Sequence, residues 1–187
     1  DNTINVLLDA DFDYNKVDTY LPGLLGWTKY YGIFDGNNHT ISNVTRSDTG
    51  YEVITPQNFG TIKNVHVKNI SDKCYGGKHT RQGIVCGDNY GIVENCSVES
   101  AVIETVAQKE NSNYGKVMEY GALVGGNFGT IRGCFASDIT FDGAGVTWPL
   151  AHELPYSTIE NTYYEAEVES GDAAKTAEQF ASGEVCS

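Results

Sequence analysis

One ten-residue pattern recurs along this chain with its apolar positions conserved from copy to copy, and it constrains the fold more than any other feature. It reads NFGTIKNVHV from Asn58, NYGIVENCSV from Asn89, NFGTIRGCFA from Asn127 and PYSTIENTYY from Pro155, with a shorter relative, HTISNVT, from His39. Aligned on Asn43, Asn64, Asn95, Gly133 and Asn161, successive copies lie 21, 31, 38 and 28 residues apart. A fixed core with variable spacing is what stacked repeats with insertions between them produce.

Within each copy, apolar residues stand two positions before the aligned residue and one and three after it, as in Ile62, Val65 and Val67 or Val93, Cys96 and Val98. The residues between are polar in most copies, which is the period-2 pattern of half-buried strands broken by a bend. Such a strand cannot bury its apolar face alone. Copies stacked about 4.8 Å apart would bring equivalent side chains together around a common core. The expected fold is therefore all-β, a parallel β-solenoid of about five coils, with right-handed winding as the general preference for parallel crossovers. Asn43, Asn64, Asn95, Gly133 and Asn161 are the expected corners, because Asn and Gly enter the left-handed backbone region and stacked Asn side chains can bond between layers.

A second element precedes two of the copies: GIVCGDN from Gly83 and GALVGGN from Gly121, with EVITPQN from Glu52 as a degenerate third. Here glycines bracket three apolar residues, as in a short buried strand between tight turns. Taken together, GALVGGNFGTIRGC (121–134) and GIVCGDNYGIVENC (83–96) resemble the GLUG-motif repeats, with Ala122, Gly133, Cys86 and Ile92 as departures. The stretch from Leu8 to Asp13, Trp27 and FDGNNHTISNV from Phe34 resembles the opening of such domains, and KTAEQFASGEV from Lys175 resembles the segment that follows their last repeat. The resemblance implies a bacterial secreted or cell-surface protein, often adhesin-like, and also a segment found beside immunoglobulin-cleaving metallopeptidases. It implies no catalytic residues, since the motif is structural.

The expected organisation is a single domain. Residues 1–34 form an N-terminal cap and first strands, 35–165 the repeats with inserted loops, and 166–187 a C-terminal cap fragment. Thr176 and Gln179 form a capping-box pattern for a short helix there. A cap is needed because an open parallel edge invites pairing with other chains. Insertions are expected near 46–51, 70–82, 100–120 and 138–154.

Composition narrows the partners. With 12 Lys+Arg against 25 Asp+Glu, the net charge is −13, which argues against nucleic acid and anionic membrane, whose binding rests on clustered cations. No apolar run approaches the roughly 20 residues of a membrane span. Asp9, Asp11 and Asp13 alternate like the start of a calcium loop but lack its Gly and distal Glu, so they read as structural. His39, His66, His79 and His152 show no zinc spacing, and the expectation is no metal and no cofactor. Cys96 and Cys134 fall on inward positions and read as stacked free thiols in the core. No G-x-S-x-G occurs, and Lys63, Glu94, Arg132 and Glu160 form a column alternating in sign rather than a carboxylate cluster.

Function must then reside in the loops, where binding residues concentrate on rigid scaffolds. Tyr114, Tyr120, Trp148 and His152 are the candidate ligand-binding residues, with Tyr75 and Tyr156 as further loop aromatics. The expected function is a non-catalytic binding or adhesion module of a longer polypeptide, recognising a glycan or host surface protein. A carbohydrate-active β-helix enzyme and a structural spacer are the alternatives.

Overall fold

The computed structural model describes residues 3–16, 23–26, 29–46, 52–75, 81–106, 119–143, 145–166 and 172–182, with backbone only at Cys74, Tyr75 and Val106. The fold is nearly all-β, and every strand pairing is parallel. Three sheets carry it. One has the order Lys29–Tyr30, Thr55–Asn58, Cys86–Asn89, Val124–Asn127 and Ala151–Glu153. A three-stranded sheet joins Arg81–Gly83, Glu119–Gly121 and Val146–Trp148. The largest, of eleven strands, includes the long Ile33–Arg46, Thr61–Tyr75, Ser97–Val106 and Phe135–Gly143. Its N-terminal edge is Val6–Leu7 and Phe12–Asp13, and an α-helix, Ala177–Ser182, follows the last described strand. That helix begins on a reciprocal cap: the Gln179 N–H donates to Thr176 Oγ1, and the Thr176 N–H to Gln179 Oε1.

Register turns the sequence pattern into columns of like residues. Phe34, Ile62, Val93, Ile131 and Ile159 are mutual neighbours across the large sheet, and so are Ile41, Val67, Val98, Ala136 and Tyr164. Cys96 lies beside Cys134, whose Sγ accepts the Cys96 N–H at 3.4 Å. Cys86, Cys96 and Cys134 are free and buried, and burial pushes the Cys86 and Cys96 thiols up.

Two columns of bends, rather than one, shape the large sheet. Asn64, Asn95, Gly133 and Asn161 turn at φ of 52°, 52°, 60° and 45°. Five residues after the first three come Asn69, Ser100 and Asp138, at 56°, 55° and 52°. Asn43 (φ 61°) belongs to this second column, because the register pairs Ile41 with Val67 and Val44 with Ile70. The alignment of Asn43 with Asn64 is therefore corrected. The true copy is YYGIFDG, in which Tyr30 pairs with Asn58, Phe34 with Ile62 and Asp35 with Lys63. Two extra residues in a bulge between Asp35 and His39 displace the remainder of that strand. Both bends share an apolar-x-Asn-apolar signature, which is why the wrong one matched.

Side-chain amides tie the layers together inside and out. Asn58 Nδ2 donates to Asn89 Oδ1 and Asn89 Nδ2 to Asn127 Oδ1, each at 2.8 Å, and all three residues are fully buried. Each Oδ1 also accepts the N–H two residues on, from Gly60, Gly91 and Gly129. The outer bends carry weaker ladders: Asn95 Nδ2 reaches Asn64 Oδ1 at 3.3 Å, and Asn64 Nδ2 reaches Asp35 Oδ1 at 2.9 Å. Gly133 ends that run, since a Cβ there would stand 2.7 Å from Asn95 Oδ1.

Candidate functional site

Four of the chain's departures from the described strands begin at one edge, the last of them a single residue, whereas the one after Ala166 begins level with Asp138. The chain leaves after Arg46, Tyr75, Val106 and Gly143, and residues paired in register mark these ends: Arg46 with Asp72, Val106 with Tyr75, Thr105 with Gly143. It rejoins at Glu52, Arg81, Glu119 and Gly145, leading into the three-stranded sheet or, at Glu52, beside it. The insertions thus emerge one above another, although the scattered lengths of the spacers hide this in the sequence.

The return side of that edge gathers charged and aromatic groups from three successive layers. Arg81 Nε donates to Asp88 Oδ1 at 2.8 Å, and its guanidinium lies 5.1 Å from the Phe128 ring centroid. This fits because Gly126 has no side chain: a Cβ there would stand 2.7 Å from Arg81 Cδ and Nε. Glu119 is the register neighbour of Arg81 and, with Asp88, keeps its guanidinium firmly charged. On the next layer His152 Nδ1 meets Glu119 Oε2 at 2.7 Å, and its ring stacks on Trp148 with centroids 4.7 Å apart and planes 3° from parallel. The result is a continuous half-buried wall, Asp88, Arg81, Glu119, His152 and Trp148, bordering the insertions.

Of the aromatics singled out in the sequence, Trp148 and His152 are brought together. Tyr120 is not a loop residue but a core one, 1% exposed, donating its hydroxyl to Asp72 Oδ2 at 2.6 Å. Its place two residues after the longest insertion made it look exposed, but its register neighbours are Gln82 and Thr147, and its ring faces inward. Tyr114 and the side chain of Tyr75 lie outside the described residues. Tyr156 is fully exposed at φ 71°.

The sequence reading missed an external stack of rings: Tyr31, Phe59, Tyr90 and Phe128, with centroids 5.0, 4.5 and 4.5 Å apart. Its signal was the aromatic residue between Asn and Gly in three copies. It also missed a polar cluster within the stack, where Arg46, Glu52 and Asp72 are all buried. Burial pushes the Glu52 carboxyl up to about 8, with Asp72 and Asp88 adding to the shift and Arg46 opposing it.

Asp11 and Asp13 serve the first layer. Asp11 Oδ1 accepts the Thr40 N–H and faces His39, while Asp13 Oδ1 accepts from Asn43 Nδ2; these bonds hold both below the usual carboxylate range. Among the described residues no three His, Cys, Asp or Glu side chains gather in a way that could hold a metal ion. No helix among them is long and apolar enough to cross a membrane.

No family model matches the chain, and no curated protein matches it, so the likeness to GLUG-motif repeats rests on the residues quoted above. Among solved structures it is similar to the crystal structure of a putative immunoglobulin A1 protease from Bacteroides ovatus, 17% identical, with a TM-score of 0.51. The match covers 98% of this chain and 80% of that one. At that identity the similarity is one of fold, and it extends over nearly the whole chain.

Proposed function

We propose that the three parallel sheets are the faces of a right-handed β-solenoid, and that the chain is a non-catalytic binding module of a larger bacterial secreted or surface protein. Its ligand is a glycan or a host surface protein, and the insertions on one edge hold it. The observation that carries this reading is that the chain leaves the strands after Arg46, Tyr75, Val106 and Gly143 at one edge, bordered by Arg81, Glu119, His152 and Trp148. A rigid stack presenting variable loops along a line is a common way to build a recognition surface. The likeness to a protein described as an immunoglobulin A1 protease is in keeping with a module that accompanies a peptidase. A non-catalytic reading is favoured because Asp88 is engaged by Arg81 and Glu119 by His152, while Glu52 and Asp72 are buried.

The test is a glycan and host-protein binding screen of the chain beside a variant in which residues 107–118 are replaced by a short Gly-Ser linker. A ligand bound by the parent and lost by the variant supports the reading. Release of shortened or unsaturated sugars from pectin-like polymers would favour an enzyme instead, and absence of any ligand would favour a spacer.

A further inference from the structure

Among the described residues, the ends of all three sheets fall on the same pass. Val146–Trp148, Ala151–Glu153 and Thr158–Glu160 are the terminal strands of their sheets, and the only described strand beyond this pass, Ala174–Lys175, pairs with Tyr163–Glu165 alone. A cavity of about 610 Å³ lies over the end of the core, lined by Trp148, Leu150, Ile159, Thr162, Tyr164 and Ala173 among others. The exposure changes accordingly: Ile62, Val93 and Ile131 are fully buried, whereas Ile159, the last of that column, is half-buried.

The outer face states what would continue it. Asp35, Lys63, Glu94, Arg132 and Glu160 are successive register neighbours, so the sign alternates layer by layer. Lys63 Nζ lies 3.2 Å from Asp35, and Arg132 Nε donates to Glu94 at 2.8 Å. The column stops at an exposed Glu160, with Glu153 exposed on the neighbouring terminal strand. The next member of the series is a cation.

We propose that this end is a docking edge for an extended β-strand segment that places an Arg or Lys opposite Glu160 and an apolar residue, one position earlier, over Ile159. Backbone pairing to the free strand edges supplies affinity, and the side chain entering the cavity supplies register. A second copy of this chain is the wrong occupant, because its opposite edge, Val6–Leu7 and Phe12–Asp13, carries Asp9, Asp11 and Asp13 and each copy has a net charge of −13. The proposal is independent of the ligand held at the insertion edge.

The probe is a peptide of residues 121–136, the chain's own layer carrying Arg132, titrated into the intact protein by calorimetry and followed by amide exchange at residues 151–153 and 158–160. Saturable one-to-one binding that slows exchange there is the expected result. An Arg132→Glu peptide should bind at least tenfold more weakly, and a Glu160→Arg protein should recover it. The Arg132→Glu comparison leaves the protein untouched, so it does not depend on a variant folding. No binding, equal binding of the two peptides, or terminal-strand amides already protected in the free chain would overturn the proposal. Head-to-tail polymers in sedimentation would also overturn it, in favour of a second copy.

Discussion

Successive strands of each layer carry two kinds of ladder, a buried one ending Thr55–Asn58, Cys86–Asn89 and Val124–Asn127 and an outer one along the strands that follow them, and they differ in what a break would cost. Inside, Asn58, Asn89 and Asn127 are fully buried and bond one another, the following glycine amides and backbone carbonyls of the next layer. Outside, the charged column and the Asn64 to Asn95 pair sit in or near water, which can replace any bond that is lost. Stacking in register is common to both; the dielectric is not. The inner ladder therefore contributes stability and the outer columns mainly the correct order of layers.

The largest expected effect breaks the inner ladder at its centre. Asn89→Ala removes the bonds to Asn58 Nδ2, the Gly91 N–H, Asn127 Oδ1 and the Thr130 carbonyl, at about 0.5–1.5 kcal/mol per buried hydrogen bond lost. A loss of about 3 kcal/mol or more is expected in urea unfolding. Asn95→Gly, which removes the outer amide and keeps the φ of 52°, should cost under about 1 kcal/mol, in keeping with an exposed hydrogen bond. Equal losses would abolish the distinction between the two ladders.

Glu52 sharpens the contrast through pH. Its carboxyl is raised from 4.5 to about 8, so the native chain holds a proton that the unfolded chain releases. The associated stability is fully present below pH 4.5 and is lost as pH rises through 8, by up to about 1.4 kcal/mol per unit. Glu52→Gln keeps the shape and removes this titration. The variant should gain on the parent by a few kcal/mol, order of magnitude, between pH 5 and pH 8.5, as read from unfolding midpoints at the two values. A constant difference between those pH values would show that Glu52 stays ionised.

The external rings come next. Tyr90 stacks on Phe59 and Phe128 at 4.5 Å, and each such contact contributes about 0.5–1.5 kcal/mol beyond buried area. Tyr90→Ala should therefore cost about 1–3 kcal/mol, while Tyr90→Phe should leave the melting temperature nearly unchanged. A large effect of Tyr90→Phe would mean that the hydroxyl, not the stack, matters. The smallest effect belongs to Glu94→Lys, which puts three cations in a row with Lys63 and Arg132. It should cost about 1 kcal/mol or less at low salt, and most of that should return at high salt. A salt-independent loss would point to packing rather than charge.

How much of this was legible beforehand differs by element. The inward columns from Ile62 to Ile159 and from Val67 to Tyr164, the alternating charges beside them, and the helix cap at Thr176 and Gln179 were readable, because each is set by local pattern and copy-to-copy equivalence. The candidate site was less so. Trp148 and His152 were both named, but their stacking depends on the bend at Pro149 and Leu150 between two strands of one pass, and Glu119 and Arg81 come beside them only across layers separated by insertions of unequal length. Tyr120 was misplaced for the same reason: nothing local says whether a ring at the end of an insertion points out or in.

By itself the sequence determined the repeat, its period-2 inward face, the cysteines in the core and the alternation of charge along one column, because these depend only on equivalent residues meeting when copies stack. Tertiary structure alone decided three things. A two-residue bulge moved Asn43 into the second column of bends, and the partners available in the interior made the Asn58 to Asn127 series a buried ladder. Register between layers brought the strand ends at Arg46, Tyr75, Val106 and Gly143 to one edge and, among the described residues, put the ends of all three sheets on one pass. Register across layers is a property of the assembled stack, fixed by which offset buries all the columns at once, and no single copy contains that information.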